Sequence, residues 1–386
     1  MTAQSSRDDV PPPVADVIAV GPVRRVTMAS GDVGYLVTRY EDVRRVLTDP
    51  AFSRAATTRP GGPKTGNDPL EGLRSLFDMD PPEHTRLRGL VARTFTRGRV
   101  EALRPWIRQI VNGLMAQMIE AGPPADLVEA MCAPLPVIVI CQLLGVPYGD
   151  RDQFREWAEA IAEATNRSAE QVGDAIAGLG GYLSSLIAIK QENPADDLLS
   201  ALARQPDGLS GPELIVLAGT LLIAGHQTTL YQLGKSMYTL LDRISLYEGL
   251  RADPGLVPSA VEELLRIGPA SPGTGPRVTI QDVEIDGVAI PAGSAVTVSS
   301  TTANRDPGVF TDPGQIQLSR DDGTHLTFGH GTHFCLGASL ARAELSIAID
   351  GLVRRFPQLR LADERSAIPW RNDGFFSAPM SLPVTW

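Results

Sequence analysis

The spacing of apolar residues changes several times along this chain, between a period of two and a helical period. Near the N-terminus, residues 23–28 and 34–38 alternate apolar and polar side chains around the turn Ser30-Gly31-Asp32, which predicts two paired strands. Residues 40–48 then have the spacing of a short helix. The chain is therefore predicted to begin with a small β portion that a helix follows.

The middle of the chain is predicted to be helical from about residue 85 to residue 250. Runs rich in glycine and proline interrupt the helical spacing at residues 122–124, 147–150, 191–194 and 206–208. Strand patterns return in residues 278–280, 283–285 and 295–299. These patterns predict a mainly α fold with a small β portion.

The composition limits which partners and compartments we expect. A formal charge of −10 without any basic run argues against nucleic acid. No consecutive apolar run reaches the roughly 18 to 20 residues that span a bilayer, and the polar, proline-rich start lacks the plan of a signal peptide. Three cysteines in 386 residues fit a reducing compartment. We therefore expect a cytoplasmic protein with no nucleic-acid or membrane partner.

The strongest chemical signal is the run Phe-Gly-His-Gly-Thr-His-Phe-Cys-Leu-Gly at residues 328–337. A thiol binds iron only as thiolate, and backbone N–H groups at a helix start stabilise such an anion. Helical spacing in residues 336–345 predicts that Cys335 lies at the N-terminus of a helix. Two other interpretations are a buried structural cysteine and a zinc site formed by His330, His333 and Cys335.

This run resembles the haem-binding signature of the cytochrome P450 family, F-G-x-G-x-H-x-C-x-G-x-x-L-A-R, at every fixed position. The resemblance implies that Cys335 binds the iron of haem b, that Phe328 shields the sulfur, and that Gly329 and Gly337 let the backbone fold around it. It extends from about residue 35 to the C-terminus. It therefore implies a single cytochrome P450 domain over residues 1–386, with residues 1–20 as a flexible extension, although the length alone would suggest two or three domains.

A second motif lies on a predicted long helix that starts near Ser210, which has capping-box spacing to Glu213. Its run Ala224-Gly225-His226-Gln227-Thr228 is similar to the oxygen-binding helix of the family. The resemblance implies a haem between this helix and the cysteine loop. Thr228 is predicted to bond the carbonyl of Ala224, opening a groove for dioxygen, and Gly225 to let the backbone pass close to the cofactor. In isolation, Gly225 would be interpreted as a helix-packing glycine.

Gln227 departs from the family pattern, which usually has Asp or Glu before the threonine. An amide orients water but cannot titrate, so acid-assisted proton delivery is in doubt. Water or substrate would supply the proton, or turnover would be slow, or the reaction would couple aromatic rings or form C–C or C–N bonds without inserting oxygen. Gln227 as a tolerated isostere of little effect is equally open.

Further residues match family positions that hold the haem or the scaffold. His84 and Arg88 share a helix face and match the pair that binds haem propionates, and Arg277 and His333 fall at two more propionate positions. Glu263 and Arg266 form the E-x-x-R element, a buried pair that needs a third partner. The candidate for that partner is Arg320, so we assign this triad to the scaffold.

The resemblance implies a haem-thiolate monooxygenase, EC class 1.14, that oxidises a small organic substrate with O₂, in bacterial specialised metabolism. Electrons would come from NAD(P)H through a reductase and a ferredoxin. The arginines at 93, 97 and 99 would either bind that ferredoxin or simply cover a solvated helix surface. A peroxygenase using H₂O₂ and a non-enzymatic haem sensor are further alternatives. We expect a monomer. The segments predicted to face the substrate are residues 54–68, 157–187, 272–278 and 375–376.

Overall fold

Helices dominate the computed structural model, which describes residues 21–28, 31–59, 75–162, 167–205, 209–271, 273–372 and 376–386. The α-helices of these residues are α1 Tyr40–Thr48, α2 Glu83–Ala92, α3 Arg97–Ala121, α4 Pro134–Leu144, α5 Arg151–Ala162, α6 Ala169–Glu192, α7 Leu198–Ala203, α8 Gly211–Asp242, α9 Ile244–Ala252, α10 Val257–Ile267, α11 Ser300–Ala303 and α12 Ala338–Arg355. The prediction of a mainly α protein is confirmed.

The strands are short, with two to five residues each. They are β1 Val23–Thr27, β2 Val33–Val37, β3 Phe52–Ser53, β4 Ala125–Asp126, β5 Arg277–Thr279, β6 Val283–Ile285, β7 Val288–Ile290, β8 Ala295–Val298, β9 Arg360–Leu361, β10 Trp370–Asn372, β11 Ser377–Pro379 and β12 Pro383–Thr385. The described residues fall into two compact units. The prediction of one domain for residues 1–386 stays a prediction.

The first unit comprises the described residues of 1–67, 255–335 and 374–377, and a five-stranded sheet organises it. The strand order is β1-β2-β8-β5-β3, in which only the pair β2 and β8 is parallel. The predicted N-terminal hairpin is confirmed, with Val23 opposite Val37 and Thr27 opposite Val33. The apolar face of α1 packs with the sheet and the β6–β7 hairpin into one core. This core supports the long loops that follow α11.

The second unit comprises the described residues of 68–254, 336–373 and 378–386. The long helix α8 is its centre and packs against α4, α5, α6 and α9, while α12 packs against α3. The capping box predicted for α8 is confirmed, because Ser210 and Glu213 each bond the other's backbone N–H. A three-stranded sheet, β4-β12-β9, lies in the same unit.

The helix breaks are mostly where the sequence predicts them. α3 ends at Ala121, and Gly122 follows with φ of 75°. α4 ends before residue 147, and α6 ends at Glu192. The pattern did not separate α5 from α6, which begins with a capping box of Ser168 and Gln171. The predicted break at 206–208 and the N-terminal extension lie outside the described residues.

Two helices, α6 and α8, are long and apolar enough to cross a membrane by length and composition. Their most apolar 18-residue windows have mean hydropathies of 1.5 and 1.4. The prediction from the sequence considered only uninterrupted runs of apolar residues. The mean hydropathy of an 18-residue window also averages over glycine, serine and threonine, so it can be high without such a run. Two-thirds of the α8 window, 67%, is buried inside the protein. A buried core helix passes the same test.

Gly145, which ends α4, tests how tightly the second unit is packed. Its φ is 80°, and a Cβ there would lie 2.3 Å from the carboxyl carbon of Asp197. Asp197 cannot move easily, because it caps α7 through the Ser200 N–H and pairs with Lys190. We predict that Gly145→Ala lowers the free energy of unfolding by about 2 to 4 kcal/mol in urea denaturation.

Gly149→Ala is the matched control. No heavy atom lies within 4 Å of the Cβ position of Gly149, and its φ is not left-handed. The control should change stability by less than about 0.5 kcal/mol. Equal effects of the two substitutions would contradict this account of Gly145.

Candidate functional site

The loop that carries Cys335 is closed by its own backbone. The Cys335 N–H donates to the Phe328 carbonyl at 2.8 Å, and the Gly329 N–H donates to the Leu326 carbonyl at 2.9 Å. Gly329 and Gly331 have φ of 72° and 69°, a conformation that costs glycine little. The loop therefore presents Cys335 with an exposed side chain.

Glycine is also required by the packing of this loop. A Cβ at Gly331 would lie 2.9 Å from the Leu47 carbonyl oxygen and 2.8 Å from a methyl carbon of Thr48, both in α1. A Cβ at Gly329 would lie 3.3 Å from a methyl carbon of Thr274. These close approaches hold the loop against α1 and against the segment before β5. They explain two glycines of the signature by packing inside the first unit.

The placement of Cys335 at a helix start needs correction. α12 begins at Ala338 with Gly337 as its N-cap, so Cys335 lies two residues before the cap and outside the helix. The backbone bond from Cys335 to Phe328 closes the loop, and residues 336–337 form a turn before the helix. The helix then continues to Arg355, well beyond the predicted residues 336–345.

Two aromatic rings flank this loop. Phe328 is half-buried, and its ring lies 6.4 Å from that of Phe334 and 5.7 Å from that of His325. Phe334, next to Cys335, is exposed. The prediction that Phe328 shields the sulfur stays a prediction, and this ring packing is compatible with it.

The three cysteines differ in solvent exposure, and this difference favours Cys335 as the metal ligand. Cys132 and Cys141 are fully buried, and burial raises the pKa of both thiols, that of Cys141 to about 12. A thiol held neutral in this way is a poor metal ligand. Cys335 is exposed. The expectation that Cys132 and Cys141 serve packing agrees with their burial.

The predicted scaffold triad is confirmed in the first unit. Arg266 donates to both carboxylate oxygens of Glu263, at 2.6 and 2.8 Å, and Arg320 donates to the same carboxylate at 3.0 Å. The Gln317 N–H adds a fourth bond at 2.8 Å. Burial raises the pKa of Glu263, but these bonds outweigh burial and leave it below its ordinary value of 4.5. Glu263 is therefore a buried, ionised anchor.

Asn304 connects this anchor to the cysteine loop, a role that the sequence reasoning missed. Its carbonyl accepts a bond from Arg266 at 2.7 Å, and its amide oxygen accepts the Leu326 N–H at 2.6 Å. Its amide nitrogen donates to the Thr327 hydroxyl at 2.9 Å. Thr327 immediately precedes Phe328, the residue that closes the loop. The sequence signal that could have found it was the amide side chain of Asn304 directly before Arg305.

Two candidate propionate ligands lie in the first unit. Arg277 is buried in β5, and its guanidinium donates to the Thr274 hydroxyl at 3.2 Å and the Gly275 carbonyl at 3.4 Å. Because Thr274 also approaches Gly329, the structure brings Arg277 and the cysteine loop to the same region. His333 is half-buried at the end of the short 3₁₀ turn Gly331–His333.

The other two candidates lie in the second unit. His84 and Arg88 are one turn apart in α2, as predicted, so they project from the same side of that helix. His84 is buried and Arg88 half-buried. Each is a cationic or donor side chain of the kind that a buried carboxylate needs.

The bond predicted for Thr228 is confirmed. Its hydroxyl donates to the Ala224 carbonyl at 2.8 Å, and its side chain is exposed. Gly225 also packs closely against a neighbouring helix, because a Cβ there would lie 2.9 Å from the terminal carbon of Ile140 in α4. Any role of Gly225 beside a cofactor stays a prediction.

Gln227 and His226 are buried between these positions. Gln227 is 2% exposed, and its amide nitrogen donates to the Ala158 carbonyl of α5 at 3.4 Å. His226 is 0% exposed, and burial, helped by the charge of Arg155, lowers its pKa to about 3. The sequence reasoning did not single out His226. A histidine inside an otherwise apolar run was the signal that could have found it.

The residues fit a haem with thiolate ligation. The chain offers one exposed thiol on a glycine loop, and both units carry cationic side chains at the candidate propionate positions. The alternative zinc site needs three clustered ligands, and no group of three His, Cys, Asp or Glu side chains that could hold a metal occurs among the described residues. The chemistry of the donor set favours haem iron over zinc.

Comparison with known proteins agrees with this donor set. A profile of the cytochrome P450 family matches residues 251–375. Nocardicin C N-oxygenase of Nocardia uniformis subsp. tsuyamanensis is 45% identical, over 98% of this chain and 96% of its own length. The chain belongs to the cytochrome P450 family. This P450 is therefore a haem protein and an oxidoreductase of EC class 1.14.

Solved structures extend the similarity to the whole fold. The putative thioether synthase SgvP, involved in the tailoring step of griseoviridin, has a TM-score of 0.93 and 45% identity, covering 99% of this P450 and 98% of that chain. Cytochrome P450mel 107F1, with biaryl coupling reactivity, has a TM-score of 0.89 and 42% identity, covering 97% and 96%. The predicted cytochrome P450 fold is confirmed.

We predict that Glu263→Gln lowers the free energy of unfolding of this P450 by about 3 to 5 kcal/mol, because it leaves two guanidinium groups without their buried carboxylate. Folding lowers the pKa of Glu263 below 4.5, so its contribution is complete above that pH and disappears as the pH falls through the folded-state pKa. The substitution should therefore also reduce the loss of stability on acidification, measured by urea denaturation across that range.

Glu262→Gln is the matched control in the same helix. The Glu262 side chain is 42% exposed and lies 3.2 Å from a ring nitrogen of His325. His325 is buried, but the carboxylate of Glu262 is open to solvent, so we expect the pair to contribute about 1 kcal/mol or less. If Glu262→Gln were as damaging as Glu263→Gln, the triad would not be the anchor of this unit.

Proposed function

We propose that this P450 binds haem b through Cys335 and inserts oxygen into a small organic substrate of bacterial specialised metabolism. The observation that carries the proposal is the exposed Cys335 thiol on a loop whose backbone is closed on Phe328. When bound, the haem supplies dioxygen activation, which thiolate ligation favours. The N-oxygenase relative supports oxygen insertion, since 45% of its residues are identical to those of this chain.

The cofactor-binding residues follow from the donor positions described above. Arg277 and His333 of the first unit, with His84 and Arg88 of the second, are proposed to neutralise the haem propionates. Phe328 is proposed to shield the sulfur, Gly329, with φ of 72°, lets the backbone turn before Cys335, and Gly337 follows as the N-cap of α12.

On α8, Thr228 is proposed to guide protons to dioxygen beside Ala224 and Gly225. Because its hydroxyl proton already bonds the Ala224 carbonyl, the Thr228 oxygen keeps its lone pairs for another donor. Thr228 therefore acts by accepting a hydrogen bond from that donor and holding it in place. The neighbouring amide of Gln227 orients such a donor without titrating.

The partners are proposed from charge and exposure. Arg93, Arg97 and Arg99 are exposed, so they give an acidic protein a local positive surface. This surface suits an acidic ferredoxin that delivers electrons from NAD(P)H through a reductase. We further propose a cytoplasmic monomer without a membrane partner. Of the predicted substrate-facing segments, residues 60–68, 163–166, 272 and 375 lie outside the described residues.

Oxidative coupling without oxygen insertion is a second candidate function. It is favoured by Gln227, a non-titrating side chain where the family usually has an acid, and by the neighbour with biaryl coupling reactivity. The two functions differ in product mass, because insertion adds oxygen and coupling removes hydrogen. Mass spectrometry of products from a library of phenolic and aliphatic substrates distinguishes them.

We predict that the purified protein, reduced and exposed to carbon monoxide, shows a long-wavelength Soret band that Cys335→Ser abolishes. The serine hydroxyl cannot supply the thiolate on which the band depends. Cys141→Ala is the control, because Cys141 is buried and should leave the band unchanged. A histidine-type spectrum in folded wild-type protein, or loss of the band in the control alone, would overturn the proposal.

We also predict that Gln227→Glu raises the rate of product formation if proton delivery limits turnover. At this buried position the pKa of a carboxyl would be raised, so it would hold a transferable proton near neutral pH. The measurement is product formed per NAD(P)H oxidised with a substrate found by the screen. Unchanged rate and coupling would show that Gln227 is a tolerated isostere.

A further inference from the structure

Two adjacent polar side chains of α8 are buried with unsatisfied hydrogen-bonding atoms. His226 is 0% exposed and Gln227 is 2% exposed. Both ring nitrogens of His226 and the amide oxygen of Gln227 have no hydrogen-bond partner in the part of the protein that the structure describes. Buried polar atoms are nearly always paired, with protein or with ordered water. These three atoms therefore call for hydrogen-bond partners other than the described protein atoms.

Both side chains interact with residues of α5 that are one helical turn apart. Gln227 donates to the carbonyl of Ala158, and the charge of Arg155, one turn earlier, acts on His226. Arg155 itself is 40% exposed and lies 3.5 Å from Glu129 and 3.6 Å from Glu159. The buried pair on α8 thus lies beneath α5, from which Arg155 extends to its two acidic partners at the protein surface.

The chemistry of these atoms suits water. Burial lowers the pKa of His226 to about 3, so the imidazole is neutral and has one donor and one acceptor. The free Gln227 oxygen is an acceptor. Water donates two hydrogen bonds and accepts two, so separate water molecules can satisfy the donor and the acceptors alike, which an apolar ligand cannot do.

We propose that His226 and Gln227 hold ordered water between α5 and α8, and that this water conducts protons from the surface near Arg155 towards Thr228. The second half rests on the function proposed above. His226 takes a proton at one ring nitrogen and releases the proton of the other to water, so the ring ends neutral in the opposite tautomer. Gln227 orients the water through its oxygen. This water would take over the proton delivery that an Asp or Glu at the position of Gln227 usually assists in the family.

The first test concerns the water and needs no catalysis. In the haem-loaded protein, His226→Leu removes two polar atoms. If water satisfies them, the substitution breaks those bonds and should lower the midpoint of thermal unfolding by about 2 °C or more. If the site is dry, the substitution removes unsatisfied atoms and should raise the midpoint. A rise would overturn the proposal, as would a crystal structure of the wild type without water within hydrogen-bonding distance of the Gln227 oxygen or the His226 ring.

Gln232→Leu is the matched control for the thermal measurement. Gln232 is a buried glutamine of the same helix whose amide donates to the Ser236 hydroxyl at 3.3 Å. The loss of this hydrogen bond should lower the midpoint of thermal unfolding, whether His226→Leu raises or lowers that midpoint. The control therefore shows the size of the effect that a lost buried hydrogen bond has in α8.

The second test concerns the proton path and uses cumene hydroperoxide, so it needs neither the substrate nor the ferredoxin. Heterolysis of the peroxide O–O bond puts a proton on the leaving oxygen and gives cumyl alcohol, whereas homolysis leaves an alkoxyl radical that gives acetophenone. We expect His226→Leu to lower the ratio of alcohol to ketone several-fold, with Gln232→Leu like the wild type. An unchanged ratio would overturn the proton path.

The carbon monoxide spectrum separates this proposal from the proposed function. If both variants keep the long-wavelength Soret band, the haem-thiolate site is intact and a changed ratio reports on proton delivery. If the wild type lacks the band, the proposed function fails, and the thermal and crystallographic measurements still decide whether His226 and Gln227 hold water.

Discussion

A buried carboxylate shared by two guanidinium groups is the interaction on which the cysteine loop depends. Glu263 is removed from water, and the bonds from Arg266, Arg320 and the Gln317 N–H make its charge tolerable there. Arg266 then reaches the carbonyl of Asn304, whose side chain holds the backbone just before the loop. Each bond in this series satisfies a group that could not be buried alone. The loop conformation is thus a consequence of charge burial some 70 residues earlier in the chain.

The loop itself shows why glycine recurs in the signature. Left-handed backbone at Gly329 and Gly331 turns the chain back on itself, so the Cys335 N–H meets the Phe328 carbonyl. Gly331 lets the loop approach α1 more closely than a Cβ would permit, and Gly329 packs tightly against Thr274. Conformation and packing therefore select the same residue type. The resulting loop leaves the thiol exposed and outside the helix that follows.

The helix α8 combines packing and chemistry on adjacent residues. Gly225 packs against Ile140, Thr228 points outwards with its proton bonded to Ala224, and His226 is completely buried. Successive residues of a helix point about 100° apart, so neighbours in the sequence meet different surroundings. Consecutive residues of one sequence motif therefore have different structural and chemical roles.

The sequence by itself determined the helical class and the Glu263–Arg266 pair and singled out Cys335 among the three cysteines, because periodicity, glycine and short spacings act over a few residues. It also predicted the bond of Thr228, which is local to one turn. Only the tertiary structure decided that Gly225 faces another helix and that His226 is buried without a protein partner among the described residues. Burial and pairing depend on segments far away in the chain, and no local pattern encodes which segment will cover a given face.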